Sequence, residues 1–569
     1  MASAYQEFHT CTDAAFESRK ILNTDRSPLY ETEHGSLLRR IIARNDVHLL
    51  KQYIAAWEWD LDRPNHGIPV PNIQSQDPFY IAAVHGSLDV LRVFLDIRST
   101  TALASASASA SIEEERGFSL LHVACQHAQI ATVMFLLDLD VDPPLAMLHD
   151  RDPGGWTPLM AAAYSTGAAD ATDRARGEAL MQMLLDQGAS ARDMVPLTCS
   201  LENIRADISG ADGGQLQPQQ AESTVLSLAI SRCNYSMVKR VLESGADAYQ
   251  PLSVYSDGPG FSFHDDGLEI RDVTALHLGS AAWNVEGIKA ILDYFHEHGN
   301  EQPLDLISRR DSMGRLPLHY AAAGSDITGT LELSLASENT LVQKITGTFQ
   351  LLVPSNEAAT ASLINTRDTH GRTPLHYAAQ AHADCGIQGL KHAYHALAWL
   401  CSRGADASVL DGKGQTVLHI LAAGSLDGES IDCDVIQLLL THSCPLDATD
   451  NNGDTALHIL ARHLRQAHTV LMLLNHGAKV DVINKSGNLA LHEVMRGGMR
   501  PKERWDRTGQ EAVSMQMRIK AQDGVVRALL EAHGNERVLN QPNGEGKTPR
   551  VLREETRKRW EGMRAKQVK

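Results

Sequence analysis

Three places in this chain put residues at spacings that catalysis or ligand binding could use. Gly546-Lys547-Thr548 has the form of the end of a phosphate-binding loop, whose backbone N–H groups cradle phosphate while the lysine reaches its outer oxygens. The first glycine of that pattern would fall at position 541, which is Gln541. His492-Glu493-Val494-Met495-Arg496 starts like a zinc-protease helix, but Arg496 stands where the second histidine ligand is required. His296 with His298, and His392 with His395, have no third ligand at a recognisable spacing. No Gly-x-Ser-x-Gly elbow, dinucleotide fingerprint or kinase signature occurs. The sequence therefore predicts no catalytic residue, no metal and no cofactor.

Composition narrows the class further. The net charge of -18 argues against nonspecific nucleic-acid binding by the whole surface. The eight cysteines form no Cys-x-x-Cys pair and read as free thiols of a reducing compartment. There is no signal-peptide pattern and no apolar run long enough to span a bilayer, so the expectation is a soluble, intracellular protein, cytoplasmic or nuclear.

What the chain does contain is repetition. Thr373-Pro374-Leu375-His376-Tyr377-Ala378-Ala379 recurs in eroded form around His122, Thr157-Pro158, His277, His319, His419, His458 and His492. From His277 to His492 the motif histidines are 42, 57, 43, 39 and 34 residues apart. A second half-motif ends in Gly-Ala, as at Leu184-Leu185-Asp186-Gln187-Gly188-Ala189, Gly245-Ala246-Asp247, Gly404-Ala405-Asp406 and Gly477-Ala478, with Gly534-Asn535 as a variant. Thr before Pro predicts a hydroxyl-capped helix start, the paired alanines a thin first helix, and the glycine a left-handed close to the second.

By these motifs the chain resembles the ankyrin-repeat family, as a long divergent array. The resemblance implies an all-α solenoid of paired antiparallel helices joined by hairpin-like finger loops, with the motif histidines bonding nearby turn groups. About ten to twelve units are read by period and motif. The expected organisation is a flexible arm over 1–32, a cap and repeats over 33–200, an insertion at 201–222, repeats with insertions over 223–548, and a basic capping tail at 549–569. Insertions at 99–111, 201–222 and 249–269 fall on the finger side. Those at 325–340, 381–392, 424–433 and 496–521 fall between the two helices of a unit. The 249–269 segment places Tyr255, Phe261 and Phe263 among Asp257, Asp265 and Asp266. From Lys547 onward nine basic residues face three acidic ones, which suits a solvated capping helix or, as the rival reading, a nuclear-targeting or anion-binding segment.

Function is expected on the surface. The resemblance implies a protein-binding scaffold that is not an enzyme, with partners met by finger tips. The tip candidates are Met313, Arg315, His370, Arg372, Lys413, Gln415, Asn452, Asp454, Lys485 and Asn488. Arg315 and Arg372 hold equivalent positions and are expected to line a stretch for carboxylates. Asp311, Asp368, Asp411 and Asp450 are read as completing their own turns. The expected partners are proteins, with no direct nucleic-acid contact and no small-molecule ligand. A transcriptional coregulator is the first reading within that class. The alternatives are a cytoplasmic adaptor and a metabolic accessory protein or enzyme with a pocket walled by insertions.

Overall fold

The computed structural model describes residues 21–22, 28–29, 36–57, 77–102, 119–139, 148–152, 155–166, 171–196, 222–255, 269–298, 304–324, 338–354, 356–384, 390–424, 431–499 and 513–567. The chain divides into two compact units, Met1–Ala248 and Tyr249–Lys569.

In the first unit five helix pairs follow one another: α1 (Ser36–Ala43) with α2 (Val47–Trp57), α3 (Pro78–His85) with α4 (Leu88–Ala102), α5 (Leu120–Gln126) with α6 (Ile130–Leu139), α7 (Pro158–Ser165) with α8 (Ala171–Asp186), and α9 (Val225–Arg232) with α10 (Tyr235–Glu243). The first helices of successive pairs stack in one row. Their alanines make this possible: Ala82, Ala83, Ala162 and Ala163 are completely buried, where a larger side chain would hold the next helix away. Asp77 shows how such a helix starts, its Oδ1 accepting the N–H groups of Phe79 at 2.8 Å and Tyr80 at 3.3 Å, with Pro78 at the first helical position. Within 1–32, expected as a flexible arm, β1 (Ile21–Leu22) pairs antiparallel with β2 (Pro28–Leu29). Ile21 is buried, and the Leu22 N–H donates to Gln52 of α2. The buried Ile21 seats this short ribbon against α2.

Among its described residues the second unit has six pairs and a terminal helix. They are α11 (Ala275–Ala281) with α12 (Val285–Glu297), α14 (Pro317–Ala323) with α15 (Glu338–Leu352), α17 (Pro374–Asp384) with α18 (Leu390–Ser402), α19 (Val417–Gly424) with α20 (Cys433–Thr441), α21 (Ala456–Arg462) with α22 (Ala467–Asn475), and α23 (Ala490–Arg496) with α24 (Met515–His533). Short helices α13 (Leu304–Ile307) and α16 (Glu357–Ile364) precede two of the fingers, and α25 (Pro549–Gln567) ends the stack. On α25, Leu552, Thr556 and Trp560 are buried, while Arg553 and Arg557 both bond Asp523 of α24. Two of the basic residues of this tail are thus spent on docking a capping helix.

Strands β3 (Met194–Pro196) and β4 (Glu222–Thr224) form one antiparallel ribbon, and β5 (Leu252–Tyr255) and β6 (Glu269–Val273) another. The intervening segments, including Phe261 and Phe263 with their neighbouring aspartates, lie outside the described residues, as do the central parts of the other insertions.

The motif histidines carry the most repetitive polar geometry. Thr373 donates its backbone N–H to His376 Nδ1 at 3.2 Å, and Thr274, Leu316, Thr416, Thr455 and Leu489 do the same to His277, His319, His419, His458 and His492. The imidazole therefore performs the back-bonding that a Glu or Gln performs in a capping box. The threonine hydroxyl was expected to cap, but it is a minor cap here: Thr157 makes no side-chain cap bond at all, and Thr455 Oγ1 accepts from its helix only at 3.4 Å. Since Nδ1 accepts, the ring proton sits on Nε2, which in His277, His419, His458 and His492 faces a carbonyl of the next finger, whereas Nε2 of His319 and His376 makes no hydrogen bond. The partner is Arg315 for His277 at 3.3 Å, Asp454 for His419 at 3.0 Å, Asn488 for His458 at 3.2 Å, and Gln541 for His492 at 3.0 Å. In the first unit His122 Nε2 meets the Trp156 carbonyl at 2.8 Å.

Burial pushes His277 down to about 3 and His319 and His376 to about 4, so these rings are neutral in the fold. Unfolded, they take up protons near pH 6.5. Their stabilisation is thus complete above about pH 6.5 and is lost as pH falls through the folded-state values. Between pH 6.5 and 5 the unfolding free energy should drop by about 1.4 kcal/mol per pH unit for each such histidine, read by urea titration, and His376→Asn should remove one share of that slope. A midpoint that does not move over this window would contradict the neutral, buried ring.

Candidate functional site

The finger turns of the second unit are built on one plan. Asp311 Oδ1 accepts the N–H groups of Met313 and Arg315 at 2.9 and 2.8 Å, and Asp368 those of His370 and Arg372 at the same distances. Asp411, Asp450, Asn484 and Asn543 repeat this for the residues two and four positions on. The fourth residue of each is a glycine in the left-handed region, as at Gly453 with φ +77. Each of these side chains closes its own turn. Gly546-Lys547-Thr548 lies in the last such turn, where Lys547 pairs with Glu555, so the phosphate-loop likeness is that of a finger.

Neighbouring fingers are joined main chain to main chain. Ser312 N–H donates to the Arg271 carbonyl, Thr369 to Met313, Gly412 to His370, Asn451 to Lys413, Lys485 to Asn452, and Gly544 to Ser486, all between 2.6 and 3.0 Å. This ladder fixes successive tips at one spacing. Arginines add a second tie that the sequence reading passed over. Arg310 Nη1 donates to the Gly314 carbonyl of its own finger at 2.9 Å and to the Arg367 carbonyl of the next at 3.2 Å. Arg367 does the same toward Gly371 and Leu410. Arg151 of the first unit spans Gly155 and Met194. The signal was available as Arg-Asp-x-x-Gly at 151–155, 310–314 and 367–371.

The ten tip candidates divide by burial. Lys413, Asn452 and Lys485 are exposed, and Met313, His370, Arg372 and Gln415 are half-buried. Arg315, Asp454 and Asn488 are buried, which removes them from any presented surface. The expected arginine-lined stretch is therefore corrected: Arg315 is 0% exposed. Its Nε donates to Tyr377 Oη at 2.7 Å, its guanidinium carbon lies 5.4 Å from that ring's centre, and Asp368 Oδ2 stands 3.9 Å away. Tyr377 in turn donates to Asp368 at 2.6 Å, as Tyr320 does to Asp311 at 2.9 Å. The equivalent Arg372 reaches Asp411 at 3.6 Å, but the next helix offers Ile420 where Tyr377 stands, so its side chain keeps 16% exposure.

Asp454 and Asn488 belong to a second buried network. Arg462 bonds Asp454 Oδ2 at 2.7 Å and Glu493 Oε2 at 2.8 Å; Asn484 bridges Asp454 and Glu493; Asn488 donates to Glu493 at 2.7 Å and accepts from Asn543 at 2.8 Å. These carboxylates hold the Arg462 guanidinium above its ordinary range against the effect of burial. Glu493, the residue that suggested a zinc-protease helix, is here a buried acceptor. Among the described residues no group of three metal-ligating side chains is gathered. Burial pushes the Cys233 and Cys401 thiols up to about 12 and Cys444 to about 11, so at neutral pH they are not thiolates. No helix among the described residues is long and apolar enough to cross a membrane. What the described residues of the fingers offer is a regular row of tips joined main chain to main chain.

A family model described as ankyrin repeats, in three copies, matches residues 79–193 and 387–484. Among solved structures, one titled "Crystal structure of the ankyrin repeat domain of Bcl-3: a unique member of the IkappaB protein family" is similar at 21% sequence identity and a TM-score of 0.32, covering 49% of this chain and 93% of that one.

Two substitutions test the site's construction. Arg315→Ala leaves the Asp368 carboxylate without its buried cation and should destabilise the second unit by about 3 kcal/mol, whereas Lys413→Ala, exposed, should change it by less than about 0.5 kcal/mol. Gly453→Ala, with its new Cβ 2.9 Å from the Lys485 nitrogen and a left-handed backbone, should cost about 1–3 kcal/mol and speed hydrogen exchange at the Lys485 N–H. Equal stabilities across the three variants by urea titration would contradict the geometry described.

Proposed function

Since the chain is an ankyrin-repeat protein, we propose that it is a non-enzymatic scaffold whose client surface is the finger edge of the Tyr249–Lys569 unit. One observation carries this: six consecutive inter-finger hydrogen bonds hold the tips in a fixed row while Met313, His370, Lys413, Asn452 and Lys485 point outward or partly outward. Such a row is preorganised, so a partner binds it without the cost of ordering loops. The buried networks consume Arg315, Asp454 and Asn488, which leaves these side chains among the exposed or partly exposed groups available for recognition.

Within the scaffold class the finer reading is a regulator of transcription factors that has no DNA-reading element of its own. It rests on the family resemblance. The basic tail adds little, because Arg553, Arg557 and Lys547 are engaged by Asp523 and Glu555. The adaptor reading differs only in the client and its compartment.

Proximity labelling in the native cell, with the full chain, tests both levels. Replacing Met313, His370, Lys413, Asn452 and Lys485 together by alanine should leave the melting transition in place and reduce labelling of the main clients roughly tenfold, the effect of losing a few tip contacts. Undiminished labelling by the folded variant would move the client surface elsewhere. Nuclear transcription factors among the lost clients would support the coregulator, and cytoplasmic enzymes the adaptor.

A further inference from the structure

The five finger turns at 310–315, 367–372, 410–415, 449–454 and 483–488 separate their charges by depth. Every carboxylate in them is turned inward: Asp311, Asp368, Asp411, Asp450 and Asp454 are all buried, each committed to the backbone N–H groups of its turn or to Arg462. Every exposed ionisable side chain in these turns is cationic, namely Arg310, Arg367, Lys413 and Lys485, and the half-buried ones are His370 and Arg372. In a chain of net charge -18 this is a local reversal of sign. Arg310, Arg367 and Lys485 give some donors to neighbouring carbonyls but keep their charge at the surface. Leu410 and Ile483, which open two of the turns, are 41% and 52% exposed, large values for aliphatic side chains beside a charged row.

From this we infer that the tip row takes an acidic, extended segment of a partner protein, with glutamate or aspartate side chains over Arg310, Arg367, Lys413 and Lys485 and aliphatic ones against Leu410 and Ile483. The inference rests on the reading of this edge as the client surface and gives the client its chemistry. Packed helices are about 8–10 Å apart, and an extended chain rises about 3.3 Å per residue, so an acidic residue at every third position meets successive tips. A carboxylate on arginine makes charge-assisted hydrogen bonds that a neutral side chain does not. A nucleic acid would present the same sign of charge, but the five turns contain no Phe, Tyr or Trp on which bases could stack.

Fluorescence anisotropy with the full chain tests it. The probe is a fluorescein-labelled peptide of about sixteen residues with glutamate at every third position and leucine and serine between, long enough to cross about five fingers. Its control carries lysine in place of glutamate. The glutamate peptide alone should bind, and high salt should weaken it roughly tenfold. Lys413→Glu with Lys485→Glu should abolish binding and Lys413→Arg with Lys485→Arg retain it, with circular dichroism melts showing both variants folded. No binding of the glutamate peptide by the parent chain, equal binding by the charge-reversed variant, or displacement of the peptide by an equal concentration of single-stranded DNA would each overturn the inference. Client labelling that survives in the cell while the peptide fails to bind would overturn the acidic partner and leave the scaffold reading standing.

Discussion

The imidazole that joins a helix start to the following finger is the interaction on which the rest of the structure depends. Its Nδ1 takes up the N–H of the residue before its own helix, an otherwise orphaned donor, and its Nε2 hydrogen faces the last carbonyl of the next turn. One neutral ring thus satisfies a helix terminus and sets where the adjoining finger lies. Because each repeat buries only one face on its neighbour, such a link between units matters more than it would inside a single globular core. Protonation would give Nδ1 a hydrogen facing a donor, which is why burial of a neutral ring and the geometry of the turn are the same constraint.

That constraint explains how polar groups are distributed along the second unit. A finger carboxylate has two oxygens: one closes the turn on backbone N–H groups, and the other is left facing the first helices. The repeats satisfy this second oxygen differently. Where the helix carries Tyr320 or Tyr377 a phenol donates to it; where it carries Ile420, Arg372 pairs with Asp411; and where it carries Ile459, the Asn452 amide of the turn itself donates to Asp450 Oδ2 at 3.3 Å. Toward the C-terminal end Asn484 and Asn543 replace aspartate at the turn position, and their amide groups donate into the network around Glu493 and Asn488. Substitutions that look like erosion of a repeat motif are in this sense coupled exchanges of hydrogen-bond partners.

Much of the architecture was legible because its signals are local. The Thr-Pro-Leu-His pattern, the Gly-Ala closures and the aspartate turns each act within a few residues, and paired alanines can be read as close helix approach. The depth of Arg315 was not legible in the same way. Arg315 and Arg372 occupy the same place in their turns, yet one is sealed and the other is not, because the deciding residues, Tyr377 and Ile420, lie one repeat farther on. Reading position within a repeat without reading the neighbour's partner residue gave both arginines to the surface. The Arg-Asp-x-x-Gly ties at Arg151, Arg310 and Arg367 were visible in the sequence, but their partners are backbone carbonyls, which leave no mark on residue identity.

The same reasoning bears on why the tips carry the charges they do. A turn that uses its carboxylate internally hides negative charge, so the five turns from 310 to 488 leave cationic residues as their exposed ionisable groups even in an acidic chain, while the last turn, closed by Asn543, exposes Glu545. Exposed lysines and arginines on a rigid row cost little to maintain, since they remain hydrated and screened until a partner arrives. Their value in recognition comes from placement, which is set by the main-chain bonds between fingers rather than by the side chains themselves. Variation at the outward positions can therefore change the chemistry of the partner without disturbing the stack, whereas variation at the inward aspartates, tyrosines and histidines alters both the turn and its neighbour.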